Sequence, residues 1–446
     1  MRWWVALAWA LGAQLLVDSA PGAPGHSHGF GSRASALAGA VGAGDGDAAA
    51  VFYNPALLAL APHSQLLFGY RASTSALQVD QRDSGIPGFT TVDGAALGRG
   101  LLLGIPVGFG LGLALTNGHL SRVKTVPEDE PYWVLRETLP ELLDLSAAVA
   151  LQPTSWLALG IGSGFLATTR GGFEVRGTAL AADGAGSEYD SRLTHSVDAQ
   201  LVSVRYLLLG AELLVPPALG VEWRLGLSLR DEAKLEQALR GTLQGNVDAG
   251  FFEVPVRYVF DSHSLVAFQP RQLVLAAAAR SGATRVGFDL GWEQWSRYPS
   301  PLPRSGTNVE AEVPAGLPLA LPESQPLPEA SLAGFDDRFT LRASLEHLLS
   351  LSAQSTLALR AGYAFLPTPA PRKLDAGVLL DADEHVLALG AGLALEPAAR
   401  YLPRSLELDL HGQWSRLPNR RHEWGKYWVM AKGNTYAAGL SLSLSF

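Results

Sequence analysis

Asp409 and His411 stand two residues apart, so on an extended chain they share a face and could pass a proton between them. No serine on a strained turn accompanies them: the sequence contains no G-x-S-x-G, no H-E-x-x-H and no phosphate loop. His26 and His28 form an H-x-H near the N-terminus, where weak metal binding competes with a solvated tail. Gly42, Gly44 and Gly46 with Asp45 and Asp47 lack the spacing of a calcium loop and read as flexible backbone. GFGLGL at 108–113 starts a strand after a turn and cradles no phosphate. The absence of cysteine excludes a disulfide framework and thiolate-bound zinc or iron–sulfur centres. No metal, no cofactor and no enzyme activity are expected.

Charges at period two remain. Glu222, Arg224, Ser228 and Arg230 share one face of one stretch, Asp289, Glu293 and Arg297 of another, and Arg338, Arg342 and Glu346 of a third. Arg360 and then Glu407, Asp409 and His411 follow. Interleaved signs suit ion-pair ladders. An arginine left unpaired beside an apolar pocket would suit a carboxylate, because a guanidinium forks two bonds to it. Arg224, Arg342 and Arg360 are the candidates.

Such residues need strands to hold them, and the chain is rich in strand patterns. RFTLRASL places Phe339, Leu341, Ala343 and Leu345 on one face and Arg338, Thr340, Arg342 and Ser344 on the other. DLSAAVAL, EHVLALGAGLAL, SLELDLHGQW and TYAAGLSLSLSF repeat the alternation. Period two is the signal of a strand. The 446 residues carry 34 Lys and Arg against 42 Asp and Glu, a net charge of −8, with 48% apolar residues and 48 glycines. So apolar a chain is not disordered, and without basic clusters it does not bind nucleic acid. MRWWVALAWALGAQLLVDSAPGAPG has a basic start, an apolar core and a small-residue end, so residues 1–25 are expected to be a secretory signal.

Alternating strands fit a soluble sandwich or a membrane barrel. Three features favour the barrel. About fourteen candidate strands can be placed, the even number a bacterial barrel needs: 64–80, 92–104, 108–120, 140–151, 155–170, 190–213, 219–240, 265–280, 284–298, 336–348, 355–366, 384–396, 404–417 and 432–446. Short connections, centred on Pro106, Pro153, Pro216 with Pro217, Ser281 with Gly282, Ser352 and Pro397, alternate with long ones such as 121–139, 171–189, 241–264 and 299–335. Aromatic residues stand near strand ends: Trp292, Trp295, Tyr298, Trp414, Trp424, Tyr427 and Trp428. The chain ends at Phe446, with Tyr436, Leu440, Leu442 and Leu444 on one face, which resembles the signal read by the outer-membrane assembly machinery.

A barrel of this size encloses a lumen that side chains alone do not fill. Residues 28–62, small and apolar, precede the first strand and are the natural plug. Within them Pro55 biases Asn54 to an extended conformation, from which its side chain can cap a short helix starting at Pro55.

GFGSRASALAGAVGAGDGDAAAVFYNPALLA resembles the N-terminal hatch of the FadL family of outer-membrane transporters of hydrophobic compounds, with Asn54, Pro55 and Ala56 as its NPA. FQPRQLVLAAAARSGATRVGFDLGWEQWSRY, LRAGYAFLPTPAP and LLDADEHVLALGAGLAL resemble further family stretches in the same order. The loops 171–189, 241–264 and 299–335 match no family motif. The resemblance implies an all-β transmembrane antiparallel barrel of about fourteen strands, with a hatch at 26–62 and the barrel at 63–446. It also implies passive uptake of long-chain fatty acids or other hydrophobic compounds across the outer membrane. Phe52, Asn54, Pro55 and Ala56 are the expected binding or gating residues, beside Arg224, Arg342 and Arg360. The expected partners are the hydrophobic ligand, outer-membrane lipids and, through Phe446, the assembly machinery, around a monomer. A monoaromatic or alkane channel of the same fold and a structural or adhesive barrel are the alternatives.

Overall fold

The computed structural model describes residues 29–86, 88–116, 130–136, 143–176, 194–218, 220–248, 253–311, 324–374, 378–396 and 403–446. The expected signal at 1–25, with His26 and His28, lies outside the described residues.

Period two dictates a pleated strand with one face on each side, and 14 strands close into an antiparallel barrel. They are β1 (Gln65–Val79), β2 (Phe89–Leu102), β3 (Ile105–Thr116), β4 (Leu143–Thr154), β5 (Leu157–Arg176), β6 (Thr194–Ala218) and β7 (Val221–Arg230). They continue as β8 (Gln272–Ser281), β9 (Thr284–Glu293), β10 (Arg338–Ser352), β11 (Ser355–Leu366), β12 (Glu384–Leu395), β13 (Ser405–Trp424) and β14 (Tyr427–Ser445). Each pairs with its neighbour, and β1 closes on β14 from Gln65↔Ser445 to Val79↔Ala431. Closure satisfies every backbone edge, which a hydrocarbon environment demands.

The alternation runs apolar side out. Phe68, Ile161, Leu275, Leu389 and Leu410 are each more than half exposed, while Arg71, Asp93, Asp144, Glu212 and Asp409 are buried on the other face. A soluble protein would invert this arrangement, so the barrel sits in a membrane. Among the described residues no helix is long and apolar enough to cross one.

Tight turns close one end. Gly104, Gly220 and Gly282 adopt φ of 80°, 74° and 57° there, the left-handed values that tight hairpins require. Pro106, Pro153, Pro216 and Pro217, expected at such turns, lie instead inside strands, and Pro397 lies outside the described residues. Pro153 and Pro216 with Pro217 occupy register shifts between Leu151 and Thr154 and between Val215 and Ala218. Having no N–H, proline suits a bulge, where the ladder is already broken.

The other end differs more from expectation. The loop expected over 241–264 is a hairpin, Ala233–Asp248 paired with Glu253–Gln269, which continues β7 and β8 beyond the barrel. Arg304–Ala311 adds a third strand to it. Pro131–Trp133 and Val378–Leu380 form a small parallel sheet. Trp295 and Tyr298, expected as interfacial aromatics, are buried with Phe268, Phe335 and Tyr132 in a loop core at this end. Arg297 falls on a 3₁₀ turn and pairs with Glu232 at 2.8 Å instead of continuing the ladder of β9.

Residues 29–61 pack against inward-facing side chains of the barrel wall. They form helix α1 (Ser32–Ala36), helix α2 (Ala50–Tyr53) and a 3₁₀ helix at Pro55–Leu60. Val51, Phe52, Leu57 and Leu58 pack with Leu67, Leu97, Ala114, Ala148 and Ala150 of β1 to β4. Burial of each such large side chain is worth ~1.5–3 kcal/mol.

Candidate functional site

Glycines make the inner wall shallow enough for this segment to approach. A Cβ at Gly108 would strike the Leu58 backbone, and one at Gly160 the Pro55 backbone. The glycine repeat at 108, 110 and 112 signals such docking in the sequence, unread there, whereas Gly162 and Gly164 make room for Ala148 and Tyr206 of the wall itself.

Asn54 is fully buried with φ −146° and ψ 103°. Its Oδ1 accepts from the Ala56 N–H at 3.1 Å, the expected cap. Its Nδ2 donates to Gly42 O at 2.9 Å and to Ala211 O of β6 at 3.2 Å. One side chain therefore joins the 3₁₀ helix, the glycine-rich stretch and the barrel wall. Ala56 is fully buried beside it.

The stretch read as flexible is held on both sides. Gly42 N–H donates to Asp289 at 2.9 Å and Gly44 N–H to Glu212 at 2.8 Å. Arg285 donates to Ala43 O, and Ser344 to Ala40 O at 3.0 Å. Arg33 grips Glu346 with two bonds of 3.0 Å and Asp47 with one of 2.9 Å. Burial alone would lower the Arg33 guanidinium, but Glu346 and Asp47 outweigh it and hold it above its ordinary value.

The three candidate arginines separate. Arg360 is saturated by Glu346 at 2.7 Å, Glu407 at 2.9 Å and Asp409. Arg224 donates to Gly44 O at 2.9 Å and pairs with Asp45 at 3.1 Å. Arg342 makes no ion pair among the described residues; its Nη1 reaches only Thr340 Oγ1, at 3.4 Å. Asp409 and His411 are both buried and inward-facing, and Asp409 is held by Arg360.

Arg342 borders a cavity of about 100 Å³ between the N-terminal segment and the wall. Phe52, Tyr53 and Pro55 form its floor, and Leu208, Val274 and Leu366 line its sides. Arg230 and Gln272, at the long-loop ends of β7 and β8, also border it, so it faces away from the tight turns. Burial pushes the Tyr53 phenol up to about 12, so it stays neutral. Asp289, opposite Arg342, also borders the cavity but accepts from the Gly42 N–H; a largely apolar pocket with an arginine that makes no ion pair can take an amphiphile whose polar end is an anion. Of the residues singled out in the sequence, Phe52, Pro55 and Arg342 meet at the cavity, whereas Asn54, Ala56, Arg224 and Arg360 fix the segment or the wall.

No family model and no curated protein matches the sequence. Solved structures do. A FadL homologue of Pseudomonas aeruginosa superposes with a TM-score of 0.53 at 13% identity, over 93% of this chain and 97% of that one. The fold is the FadL-type barrel. The monoaromatic hydrocarbon channel CymD gives 0.51 at 15% identity, covering 94% and 98%. The toluene transporter TbuX of Ralstonia pickettii gives 0.50 at 15%, covering 94% and 99%. The resemblance drawn from the hatch-like sequence thus holds for the fold over nearly the whole chain, and with it the outer-membrane barrel architecture.

Proposed function

We propose that the protein carries hydrophobic compounds passively across the outer membrane, with residues 26–62 as its hatch. The ligand is a long-chain fatty acid: its tail lies against Phe52, Leu208 and Val274, and its carboxylate meets Arg342. What supports this reading is that the Arg342 guanidinium, with no ion pair among the described residues, borders a largely apolar cavity against residues 29–61. Asn54 acts on passage indirectly, by tying the 3₁₀ helix to Gly42 and Ala211.

A second reading rests on the size of the cavity. About 100 Å³ is on the scale of one aromatic ring rather than a long chain. One experiment separates the two. Arg342→Gln should lower uptake of a labelled long-chain fatty acid about ten-fold, the worth of one charge-assisted bond, and leave toluene uptake unchanged. Equal loss of both would leave Arg342 a structural residue. Unchanged fatty-acid uptake in cells lacking the protein would remove the fatty-acid assignment.

A further inference from the structure

The lipid-facing surface changes character at one height on one hairpin. The outward positions of β13 and β14 run Leu408 opposite Leu442, Leu410 opposite Leu440, then Trp414 opposite Tyr436. From Leu406 to Trp414 the strand climbs ~26 Å before tilt, most of an apolar band ~25 Å tall. Tyr363, Leu387, Trp414 and Tyr436 lie in one row across β11 to β14, so the aromatics mark the water-side limit of the band.

Directly above that limit the outward positions become cationic. Arg416 follows Trp414 by one outward step, Lys432 faces out opposite a bulge at Pro418 and Asn419, and Arg421 lies beyond the bulge. Lys426 sits in the hairpin turn. Arg416, Arg421 and Lys426 are exposed and Lys432 half-buried. None of the four pairs with a carboxylate among the described residues. Glu423 is the single acid at the outward positions of these two strands above Trp414. The Arg421 guanidinium lies 3.5 Å over the Trp428 ring, and the Lys426 ammonium 5.3 Å from that of Tyr427. A stacked guanidinium is already ordered and keeps its N–H edge free for an oxyanion. At the same end of β8, β9 and β10 the outward row is Leu273, Trp292 and Phe339, with no cation. The charge therefore belongs to this hairpin and not to the whole rim.

We propose that the β13–β14 hairpin binds a phosphorylated glycolipid of the outer leaflet. Its phosphates meet Arg416, Arg421, Lys426 and Lys432, and its acyl chains lie along Leu408, Leu410 and Trp414. Charge complementarity selects the phosphates, and continuity with the apolar band selects a lipid over a soluble anion. The site is on the outside of the wall and is independent of what crosses the lumen.

The test uses the full barrel in neutral detergent with labelled bisphosphorylated lipid A as the probe, and a heat-dependent gel shift to verify folding. For the unmodified protein, removing both phosphates from the lipid should weaken binding about ten-fold or more. The variant R416Q/R421Q/K426Q/K432Q should weaken binding of the phosphorylated lipid to a similar extent. R240Q/R257Q, which neutralises two exposed arginines of the loop hairpin, should leave it unchanged. Millimolar inorganic phosphate should not displace the lipid. Equal binding of the dephosphorylated lipid overturns the proposal without any variant. So does unchanged binding by the folded quadruple variant, and complete displacement by inorganic phosphate would reduce the site to a simple anion patch.

Discussion

Asn54 shows how much one side chain can carry when its donors and acceptor are all committed. Asn54→Ala removes a cap worth ~1 kcal/mol and strands the carbonyls of Gly42 and Ala211. A shift of that size changes a two-state gate roughly five-fold without unfolding a closed barrel. Uptake and single-channel noise should change in the mutant while the amount of folded barrel does not; identical uptake would make the residue a plain cap. The cap itself was legible, because N-P is a local signal. The other two bonds were not, since Gly42 and Ala211 reach Asn54 only through the fold. The same limit explains the arginines: three of similar sequence context differ by cross-strand register, which puts Glu346, Glu407 and Asp409 around Arg360, whereas Asp289, directly opposite Arg342, accepts from the Gly42 N–H and makes no ion pair with it among the described residues.

Among the elements, the barrel strands were readable because lipid on one side and a polar lumen on the other enforce strict alternation. The hairpin at Ala233–Gln269 rises beyond that asymmetry, so no such pattern announces it, and 241–264 passed for a loop. Trp295 and Tyr298 looked interfacial because an aromatic near a strand end packs equally well under a loop. That loop core holds a buried pair, Arg136 with Glu384 at 2.7 Å. Glu384→Gln should cost on the order of 3 kcal/mol there, because buried Arg136 keeps its charge but loses its hydrogen-bonded carboxylate, leaving only the electrostatic pull of Asp381. Faster protease cleavage of the long loops, with an unaltered barrel gel shift, is the expected readout. Asp381 is raised above its ordinary value by burial, with Arg136 opposing. The packed loops then hold its proton more tightly than opened loops do, so this contribution is complete at low pH and is lost as pH rises through the packed-state value. Protection should increase on acidification, and Asp381→Asn should flatten that dependence. The proposed hatch is an element with its own test: deleting 28–62 should convert a nearly closed barrel into one with large steady conductance in planar bilayers. Unchanged conductance would mean that the segment does not block the lumen.

For the whole molecule, closure of β14 on β1 leaves the barrel wall without a free edge, so its unfolding has no strand from which to begin. Unboiled protein should migrate apart from boiled protein on a denaturing gel, and membranes should retain it through carbonate washing; recovery as a soluble monomer would contradict the lipid-facing Leu belt. Closure also orders events in time. Ser32 N–H donates to Ser441, and Gln413 donates to Ser35 O, contacts that bridge 409 and 378 residues. The proposed hatch precedes the strands in the chain, yet the wall it contacts is complete only when β14 pairs with β1. Threading it afterwards through a finished ring would mean dragging Arg33, Asp45 and Asp47 past the inner wall. On the proposal that this segment is the hatch, the assembling sheet curls around a segment already in place, and the inner wall takes the shape of what it encloses.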